Sequence, residues 1–294
     1  MLEKLTTEKR NETTMNLDVM SIQEILETMN REDQTVPQAI AMELHSIEKA
    51  VQYVIQSFQE GGRLIYIGAG TSGRLGILDA VECKPTFGSP PEMVQGFLAG
   101  GMKAFTEAVE GAEDDENQGE KDLASIKLSE KDTVIGIAAS GRTPYVIGAL
   151  KYTSKIGAKT VSISCNKNAE MSKYAKVKIE VETGPEVLTG STRLKAGTAQ
   201  KLILNMISTA SMIGIGKVYK NLMVDVQSTN KKLVERSKRI IMQATDVDYD
   251  TAADYFEESH HNVKVAIVMI LLQCSYEKAL ESLKNANGYI RKTL

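Results

Sequence analysis

Short apolar runs alternate with amphipathic stretches through the middle of the chain. The apolar runs are rich in Val and Ile and predict strands at residues 63–68, 93–97, 133–138, 160–165 and 177–182. Apolar residues at helical spacing lie between them, at residues 73–82, 103–111, 144–156 and 168–174. Strands that alternate with helices predict βαβ units and a parallel sheet. We therefore predict an α/β fold with a doubly wound, five-stranded parallel sheet in the strand order 2-1-3-4-5.

Helical patterns continue on both sides of this alternating region. Apolar residues from Ile40 to Phe58, in steps of three and four, predict one helix that begins near Pro37 and stops at Gly61-Gly62. After the last strand we predict a long apolar helix from Arg193 to about Tyr219. Three or four amphipathic helices are predicted beyond it, roughly at residues 229–244, 250–259, 262–273 and 275–287. Three parts are expected: an N-terminal helical arm (1–50), the sheet domain (51–219) and a small all-α C-terminal region (220–294).

Two loops of similar composition follow the first and third predicted strands. The first reads Gly68-Ala69-Gly70-Thr71-Ser72-Gly73-Arg74, and the second reads Ala138-Ala139-Ser140-Gly141-Arg142-Thr143. Glycines let the backbone approach an anion, which helix N-terminal N–H groups and hydroxyls can then hold. The predicted strand order places both loops over one crevice at the switch point of the sheet. We therefore predict a phosphate site that includes Gly70, Thr71, Ser72, Ser140, Gly141 and Thr143.

The first loop also matches the Gly-x-Gly-x-x-Gly pattern of dinucleotide sites. That fingerprint needs an acidic residue at the end of the second strand, and residues 96–99 contain no carboxylate. The hydroxyls of Thr71 and Ser72 favour a phosphate monoester instead. Ser191 and Thr192 form a third hydroxyl-bearing segment, which opens the long helix together with Arg193 and Lys195. Cations are disfavoured at a helix N-terminus, and a bound anion would offset that cost.

The whole-chain totals exclude several classes of protein. The chain has 294 residues, a net charge of −3 and 42% hydrophobic residues, which is typical of a soluble globular protein. This charge gives no reason to expect nucleic acid or an anionic membrane as a partner. The longest uninterrupted apolar stretch, residues 265–272, is far shorter than the ~20 residues needed to span a bilayer. Three widely spaced cysteines favour reduced thiols in the cytoplasm over a disulfide framework or a zinc site.

Carboxylates are the best candidates for acid–base chemistry. His45, His260 and His261 are the only histidines, and no Ser/His or Cys/His pair stands out. Glu82 is predicted to end the helix after the first loop, where a negative charge is disfavoured, so that its carboxyl would suit a general acid. Glu113 lies in an acidic run, residues 110–116, of a kind that usually forms a solvated loop. Spacing alone selects neither residue.

Taken in order, these segments resemble the N-acetylmuramic acid 6-phosphate etherases. That family belongs to the wider sugar-isomerase (SIS) fold group and is similar to the glucokinase regulatory protein. The matching segments span nearly the whole chain, at Leu5 to Asn11, Gly68 to Arg74, Glu82-Cys83, Pro90 to Gly101, Glu110 to Asp114, Ala139 to Tyr145 and Thr183 to Gln200.

The resemblance implies a carbon–oxygen lyase of cell-wall amino-sugar catabolism or recycling. Such an enzyme releases D-lactate from N-acetylmuramic acid 6-phosphate by elimination and then water addition, without a metal or cofactor. The family's general acid falls on Glu82 and its second catalytic glutamate on Glu113. In the ring-opened sugar the C1 aldehyde acidifies the C2 proton, so we assign Glu113 as the base at C2 and Glu82 as the acid to the departing lactate.

A helix that runs straight from residue 72 to residue 82 would hold Glu82 about 15 Å from the phosphate loops. Either that helix ends early or Glu82 acts in the site of a partner chain, so we expect a homodimer with composite sites. Two other functions remain open at this point. A phosphosugar aldose–ketose isomerase would use similar chemistry, and a non-catalytic phosphosugar sensor would not need both glutamates. Residues 1–35 offer no helix-turn-helix for a DNA-binding sensor.

Overall fold

The computed structural model describes residues 5–107, 109–228 and 230–294. The chain forms two compact units. The first contains the residues up to Ala80 together with Glu92–Ser208, and the second contains Val81–Pro91 together with Thr209–Leu294. In the described part of the chain, no helix has the length and apolar character required to cross a membrane. The division into three parts at residues 50 and 219 stays a prediction.

A five-stranded parallel sheet forms the centre of the first unit. Its strands are β1 (Leu64–Gly68), β2 (Val94–Leu98), β3 (Thr133–Ile137), β4 (Lys159–Ser164) and β5 (Val177–Glu180). They are ordered β2-β1-β3-β4-β5, which confirms the predicted fold class and strand order. Every residue of β1 and β3 is buried, as expected for central parallel strands with both faces covered. Gly68 pairs with Ile137, so the loops after β1 and β3 leave the sheet at the same level.

The N-terminal part of the first unit is more helical than its sequence predicts. It contains α1 (Ile22–Asp33), α2 (Thr35–Ala41) and α3 (Leu44–Gln59). The sequence analysis missed α1, although a reciprocal capping box between Ser21 and Glu24 opens it. The single helix predicted from Pro37 to Gly61 is two helices, which are separated at Met42 and Glu43.

Two helices lie between β2 and β3. The predicted helix at 103–111 is only the short α5 (Lys103–Thr106), and residue 108 lies outside the described residues. A helical turn at Ala112–Asp114 leads into α6 (Glu116–Ser125). The sequence pattern predicts no helix there, and it favours a solvated loop only for the acidic run at residues 110–116. The side chain of Asp115 caps α6 by accepting from the backbone N–H groups of its second and third residues.

The helix after β3 is α7 (Pro144–Ile156), as predicted, and it packs on α6 with almost no space between the two backbones. A Cβ on Gly119 would lie 2.1 Å from the Tyr145 carbonyl oxygen, and one on Gly148 would lie 1.9 Å from the Glu116 carbonyl oxygen. Only glycine fits at either position. After β4, the stretch predicted as helix at 168–174 is a short 3-10 turn, Glu170–Tyr174.

Two long helices begin in the first unit and differ in length from their predictions. The first, α4 (Gly70–Phe87), starts earlier and ends later than the predicted 73–82. The second, α8 (Lys195–Ile213), starts two residues later than Arg193 and ends well before Tyr219. Gly214 and Gly216 follow its end, and Val218 and Tyr219 lie instead in a small antiparallel hairpin formed by β6 (Val218–Tyr219) and β7 (Leu222–Met223).

Four helices make up most of the second unit. They are α9 (Lys231–Thr245), α10 (Tyr249–Glu258), α11 (Val263–Leu272) and α12 (Tyr276–Asn285), which confirms a helix in each of the four predicted ranges. Residue 229, where the first of them was predicted to begin, lies outside the described residues. Phe256 and Ile267 are fully buried in the apolar core that these helices share.

Candidate active site

The first predicted phosphate loop leads directly into α4. Helix α4 begins at Gly70, whose φ of +54° lies in the left-handed region that favours glycine. A Cβ on Gly73 would lie 2.5 Å from the Gly68 carbonyl oxygen, so the turn closes too tightly for any other residue. Thr71 is half-buried and Ser72 is buried in the first turn of α4. This arrangement suits anion binding, because the first N–H groups of a helix have no carbonyl partner within the helix.

The second loop turns sharply between β3 and α7. Gly141 has a φ of +69°, and a Cβ there would lie 2.4 Å from that of Ala169. The Ser140 hydroxyl oxygen accepts from the backbone N–H of Arg142 at 3.2 Å. Thr143 directly precedes α7, and its side chain makes no capping hydrogen bond with that helix. The Thr143 hydroxyl is therefore not committed to the helix that it precedes.

The side chain of Arg74 in the first loop is already hydrogen-bonded within the protein. The Arg74 guanidinium donates to the Ala104 carbonyl at 2.7 Å and to the Phe105 carbonyl at 3.0 Å. These carbonyls belong to α5, so Arg74 fastens α4 to the segment that leads to Glu113. Hydroxyls and backbone N–H groups are therefore left as the candidates for anion binding in this loop.

A protein carboxylate fills the anion position that the sequence predicts at the start of α8. The buried carboxylate of Glu186 accepts from the backbone N–H groups of Lys195 and Ala196 at 2.9 and 3.0 Å. Glu186 therefore caps α8. Burial raises the pKa of Glu186 above its ordinary value, although the two N–H groups oppose that shift.

The positive charge at the start of α8 also has a partner within the chain. Lys195 is 2% exposed, and its Nζ lies 2.7 Å from Oε2 of Glu32 in α1. The same carboxylate oxygen accepts from Nδ2 of Asn11 at 2.9 Å. No local pattern predicts these partners, because Glu186 lies nine residues before Lys195 and Glu32 lies 163 residues before it. Ser191 and Thr192 are half-buried in the turn before α8.

Contacts within the first unit join the two loops to the first turns of α8. The Ser72 hydroxyl in the first loop donates to Oε1 of Gln200 in α8 at 2.9 Å. In the second loop, the Ala139 carbonyl accepts from the Cys165 backbone N–H and from Nδ2 of Asn166, each at 3.0 Å. The Cys165 thiol in turn lies 3.8 Å from the Ala196 carbonyl oxygen of α8. Both loops are therefore linked to the first turns of one helix.

The N-terminal arm reaches the same edge of the sheet. Oδ1 of Asn166 accepts from the Thr6 backbone N–H at 2.7 Å, and its Nδ2 donates to the Thr7 hydroxyl at 3.0 Å. Thr7 is fully buried. Residues that the sequence analysis only matched to a family segment thus support the second loop through Asn166.

The structure brings Glu113 and the first loop to one cavity. This cavity has a volume of about 340 Å³ and is lined by Ala69, Gly70, Arg74, Ala99, Ala104, Glu107, Val109, Glu110, Gly111, Ala112 and Glu113. Glu113 is exposed in the short helical turn after Gly111. Its neighbour Ala112 packs in the same apolar cluster as Ala69, Ala138 and Tyr145. The cavity lining therefore includes both Glu113 and the start of α4.

Glu82 lies ten residues further along α4 than Ser72. The helix continues without a break through Glu82 to Phe87, so Glu82 does not end the helix as predicted. Its side chain is exposed, and it belongs to the second unit. At 1.5 Å per residue, it is about 15 Å along the helix from Ser72. The early helix end that would have shortened this distance does not occur.

Two family models match the central part of the chain. Residues 46–154 match the glucokinase regulatory protein N-terminal SIS domain, and residues 111–210 match the SIS domain. Together these ranges contain all five strands of the sheet.

Solved structures with a similar fold share little sequence with this chain. A phosphoheptose isomerase from Neisseria gonorrhoeae is 16% identical, with a TM-score of 0.49 over 65% of this chain and 98% of its own. A putative sugar-phosphate isomerase from Listeria monocytogenes is also 16% identical, with a TM-score of 0.48 over 66% of this chain and 92% of its own. Structural similarity with so low a sequence identity and TM-score does not indicate function.

Curated relatives match the chain from end to end. Proteins named N-acetylmuramic acid 6-phosphate etherase from Bacillus cereus (strain G9842) and Bacillus anthracis (strain CDC 684 / NRRL 3495) are each 72% identical over 294 residues. Each match covers 100% of this chain and 100% of the relative. The chain therefore belongs to the N-acetylmuramic acid 6-phosphate etherase family.

Proposed function

We propose that this protein cleaves the D-lactyl ether of N-acetylmuramic acid 6-phosphate to give N-acetylglucosamine 6-phosphate and D-lactate. The observation that carries the proposal is the cavity that has Glu113 and Gly70 in its lining. It offers a carboxylate beside a helix start, as a reaction at the carbon atoms of a sugar phosphate requires. Membership of the etherase family selects this reaction among those of phosphosugars.

The reaction is an elimination followed by the addition of water. In the ring-opened sugar, Glu113 removes the C2 proton, which the C1 aldehyde acidifies. The C2=C3 double bond forms as the C3–O bond breaks, and Glu82 protonates the ether oxygen of the departing lactate. Water then adds to C3 and a proton returns to C2, with the two carboxyl groups in reversed roles. Two carboxyl groups complete this route without redox chemistry.

The hydroxyl-bearing segments hold the 6-phosphate in this proposal. The ligands would be Gly70, Thr71 and Ser72 at the start of α4, Ser140, Gly141 and Thr143 in the second loop, and Ser191 and Thr192 before α8. The support for this set is the chain of buried contacts that joins both loops to α8. A dianionic phosphate is well matched by neutral donors at helix starts.

We also propose that the protein is a homodimer in which Glu82 serves the site of the partner subunit. The unbroken α4 supports this assignment, because about 15 Å of helix separates Ser72 from Glu82. A cytoplasmic location completes the proposal. Cys165 and Cys274 are free thiols, and free thiols persist in a reducing compartment.

A coupled assay for D-lactate tests the reaction and the role of Glu82. The wild-type protein is expected to release D-lactate from N-acetylmuramic acid 6-phosphate, and Glu82→Ala is expected to lose at least about a hundredfold in kcat, as the loss of a general acid predicts. Glu130→Ala changes an exposed glutamate before β3, at the opposite edge of the sheet, and is expected to keep full activity.

Full activity of Glu82→Ala would overturn the assignment of Glu82. Interconversion of an aldose and a ketose phosphate by the wild type, with no lactate released, would overturn the reaction itself.

A further inference from the structure

The buried side-chain amide of Gln200, beside the first loop, uses only one of its two polar atoms in a hydrogen bond. Gln200 in α8 is 1% exposed. Its Oε1 accepts from the Ser72 hydroxyl at 2.9 Å, while its Nε2 is buried and has no hydrogen-bond partner in the described part of the chain. An amide N–H that is buried without a partner costs roughly 1–3 kcal/mol, and proteins seldom keep one without a reason.

Rotation of this amide by 180° changes which hydrogen bonds the Ser72 hydroxyl can form. The oxygen and nitrogen of a Gln amide exchange places when the terminal torsion rotates. Nε2 then donates to Oγ of Ser72, so that the nitrogen gains a partner and Oε1 gives up the hydrogen bond that it accepted. The hydroxyl, which no longer donates to Gln200, has its own proton available for another acceptor. Ser72 lies in the first turn of α4, where the proposed phosphate would be that acceptor.

We propose that Gln200 is a positioning residue that donates to Ser72 and thereby directs the Ser72 hydroxyl proton to the phosphate of the substrate. The proposal rests on the function proposed above, since it needs a phosphate at the start of α4. Gln200 touches no part of the substrate and acts only through Ser72. It determines whether Ser72 donates to the protein or to the ligand.

The packing around Gln200 supports such a role. Gly197 lies one turn before Gln200, and a Cβ there would be 3.5 Å from Cγ2 of Thr71. The first turns of α8 therefore contact the phosphate loop directly, and a side chain that points from α8 to Ser72 has little freedom. With Ser72 only 7% exposed, its hydroxyl has few acceptors other than Gln200 and a ligand at the loop.

A second amide on α8 provides a matched comparison. Nδ2 of Asn205 donates to Oδ1 of Asp79 in α4 at 2.6 Å. The same carboxylate also accepts from Tyr66 and Ser208. Asn205 thus links the same two helices as Gln200 does. Its partner Asp79 lies seven residues further along α4 than Ser72. A loss of helix packing affects both amides, whereas a loss of phosphate positioning affects Gln200 alone.

The main test is the pH dependence of KM in Gln200→Glu. The ionised carboxyl can only accept, so it holds the Ser72 proton and repels the phosphate. We expect KM for N-acetylmuramic acid 6-phosphate to rise about tenfold or more at pH 8, with a smaller change in kcat, the size expected for one hydrogen bond to a charged group. As pH falls the introduced carboxyl becomes protonated and can donate to Ser72, so the ratio of variant KM to wild-type KM is expected to fall towards 1.

Three further variants separate positioning from packing. Gln200→Met is expected to raise KM at every pH, because it cannot donate. Gln200→Met combined with Ser72→Ala is expected to be no worse than Ser72→Ala alone, because Gln200 acts only through that hydroxyl. Asn205→Leu is expected to lower Tm while KM stays at the wild-type value.

Two outcomes would overturn the positioning role: a KM ratio for Gln200→Glu that does not vary with pH, or equal KM changes in Gln200→Met and Asn205→Leu. Calorimetric titration with N-acetylglucosamine 6-phosphate keeps this test separate from the proposed reaction. If the wild type binds that sugar phosphate but releases no lactate, the reaction fails and the same variants, compared by Kd, still decide the role of Gln200.

Discussion

At the scale of single residues, the buried carboxylate of Glu186 shows most clearly where sequence reasoning ends. The positive charges of Arg193 and Lys195 at a helix start predict that a bound anion lies nearby. The pattern cannot show whether that anion belongs to a ligand or to the protein itself. Glu186 at the N–H groups of α8, and Glu32 at the Lys195 ammonium, are both supplied by the chain itself. Such partners come from the folded arrangement, since they are distant in sequence or have no characteristic spacing.

The thiol of Cys165 is expected to resist alkylation in the native protein. Cys165 is 1% exposed, and burial, together with the negative charge of Glu186, raises the pKa of its thiol to about 12. We expect iodoacetamide at pH 8 to modify the partly exposed Cys274 first and to leave Cys165 unmodified for as long as the protein stays folded.

Peptide mass spectrometry of the alkylated protein measures both cysteines at once. Complete labelling of Cys165 in 6 M guanidinium serves as the control, and native labelling of Cys165 at the rate of Cys274 would contradict the expectation.

At the scale of elements, the strands and the two loops after β1 and β3 follow from the sequence. Runs of Val and Ile in short segments need burial on both faces, and only the centre of a parallel sheet provides it. The errors occur where apolar spacing is a poor guide. Helix α6 begins in an acidic run and owes its place to glycine packing on α7, and the predicted helix through Tyr219 is interrupted by Gly214 and Gly216. The outcome at those points depends on contacts with other elements.

The ion pair between Arg63 and Asp132 is expected to stabilise the strands at the edge opposite the phosphate loops. These residues directly precede β1 and β3, and the Asp132 carboxylate accepts from the Arg63 side chain at 2.7 and 3.1 Å and from the Ser129 backbone N–H at 2.8 Å. Burial would raise the pKa of Asp132, but these donors and the charge of Arg63 hold it below the ordinary 3.8.

Asp132→Asn is therefore expected to lower the free energy of unfolding at pH 7 by about 2–4 kcal/mol. A carboxyl with a lowered pKa contributes fully above its ordinary pKa and loses that contribution as pH falls through the lowered value. The difference between variant and wild type is thus expected to shrink below about pH 3.8. Urea unfolding at several pH values measures it.

Glu170→Gln, which breaks an exposed pair with Lys173, is the control and is expected to change stability little. A stability loss in Asp132→Asn that is the same at pH 3 and pH 7 would count against the ion pair. The KM of Asp132→Asn is expected to match the wild type, since the pair lies at the amino ends of the strands.

At the scale of the whole molecule, the candidate site follows from the sequence only in part. The strand order makes the loops after β1 and β3 neighbours, and Glu113 lines one cavity with the start of the first loop. The family resemblance supplied both Glu82 and Glu113, since spacing alone selects neither. The assembly of two chains stays a proposal, which rests on the ten residues of α4 between Ser72 and Glu82.

Mixing two inactive variants is expected to restore activity if Glu82 and Glu113 serve one site from different chains. In a hybrid of Glu82→Gln and Glu113→Gln chains, one of the two sites of a symmetric dimer keeps both carboxylates. Random exchange makes half of the dimers hybrids, so about a quarter of wild-type lactate release is expected. Native mass spectrometry confirms that exchange has occurred. Hybrids that form but stay inactive would place both carboxylates in one chain.

The glycine contacts between α6 and α7 limit how this protein can change over evolutionary time. Gly119 and Gly148 let each helix touch the backbone of the other, and α6 follows directly from the turn that carries Glu113. A single added methyl group at either position would push that turn away from α7. We expect a saturation mutagenesis library, selected for growth on the substrate, to retain glycine at both positions, although neither contacts a ligand. The close approach of the two backbones therefore limits which residues are tolerated at these positions. Selection for activity acts on them indirectly, through the placement of the turn that carries Glu113.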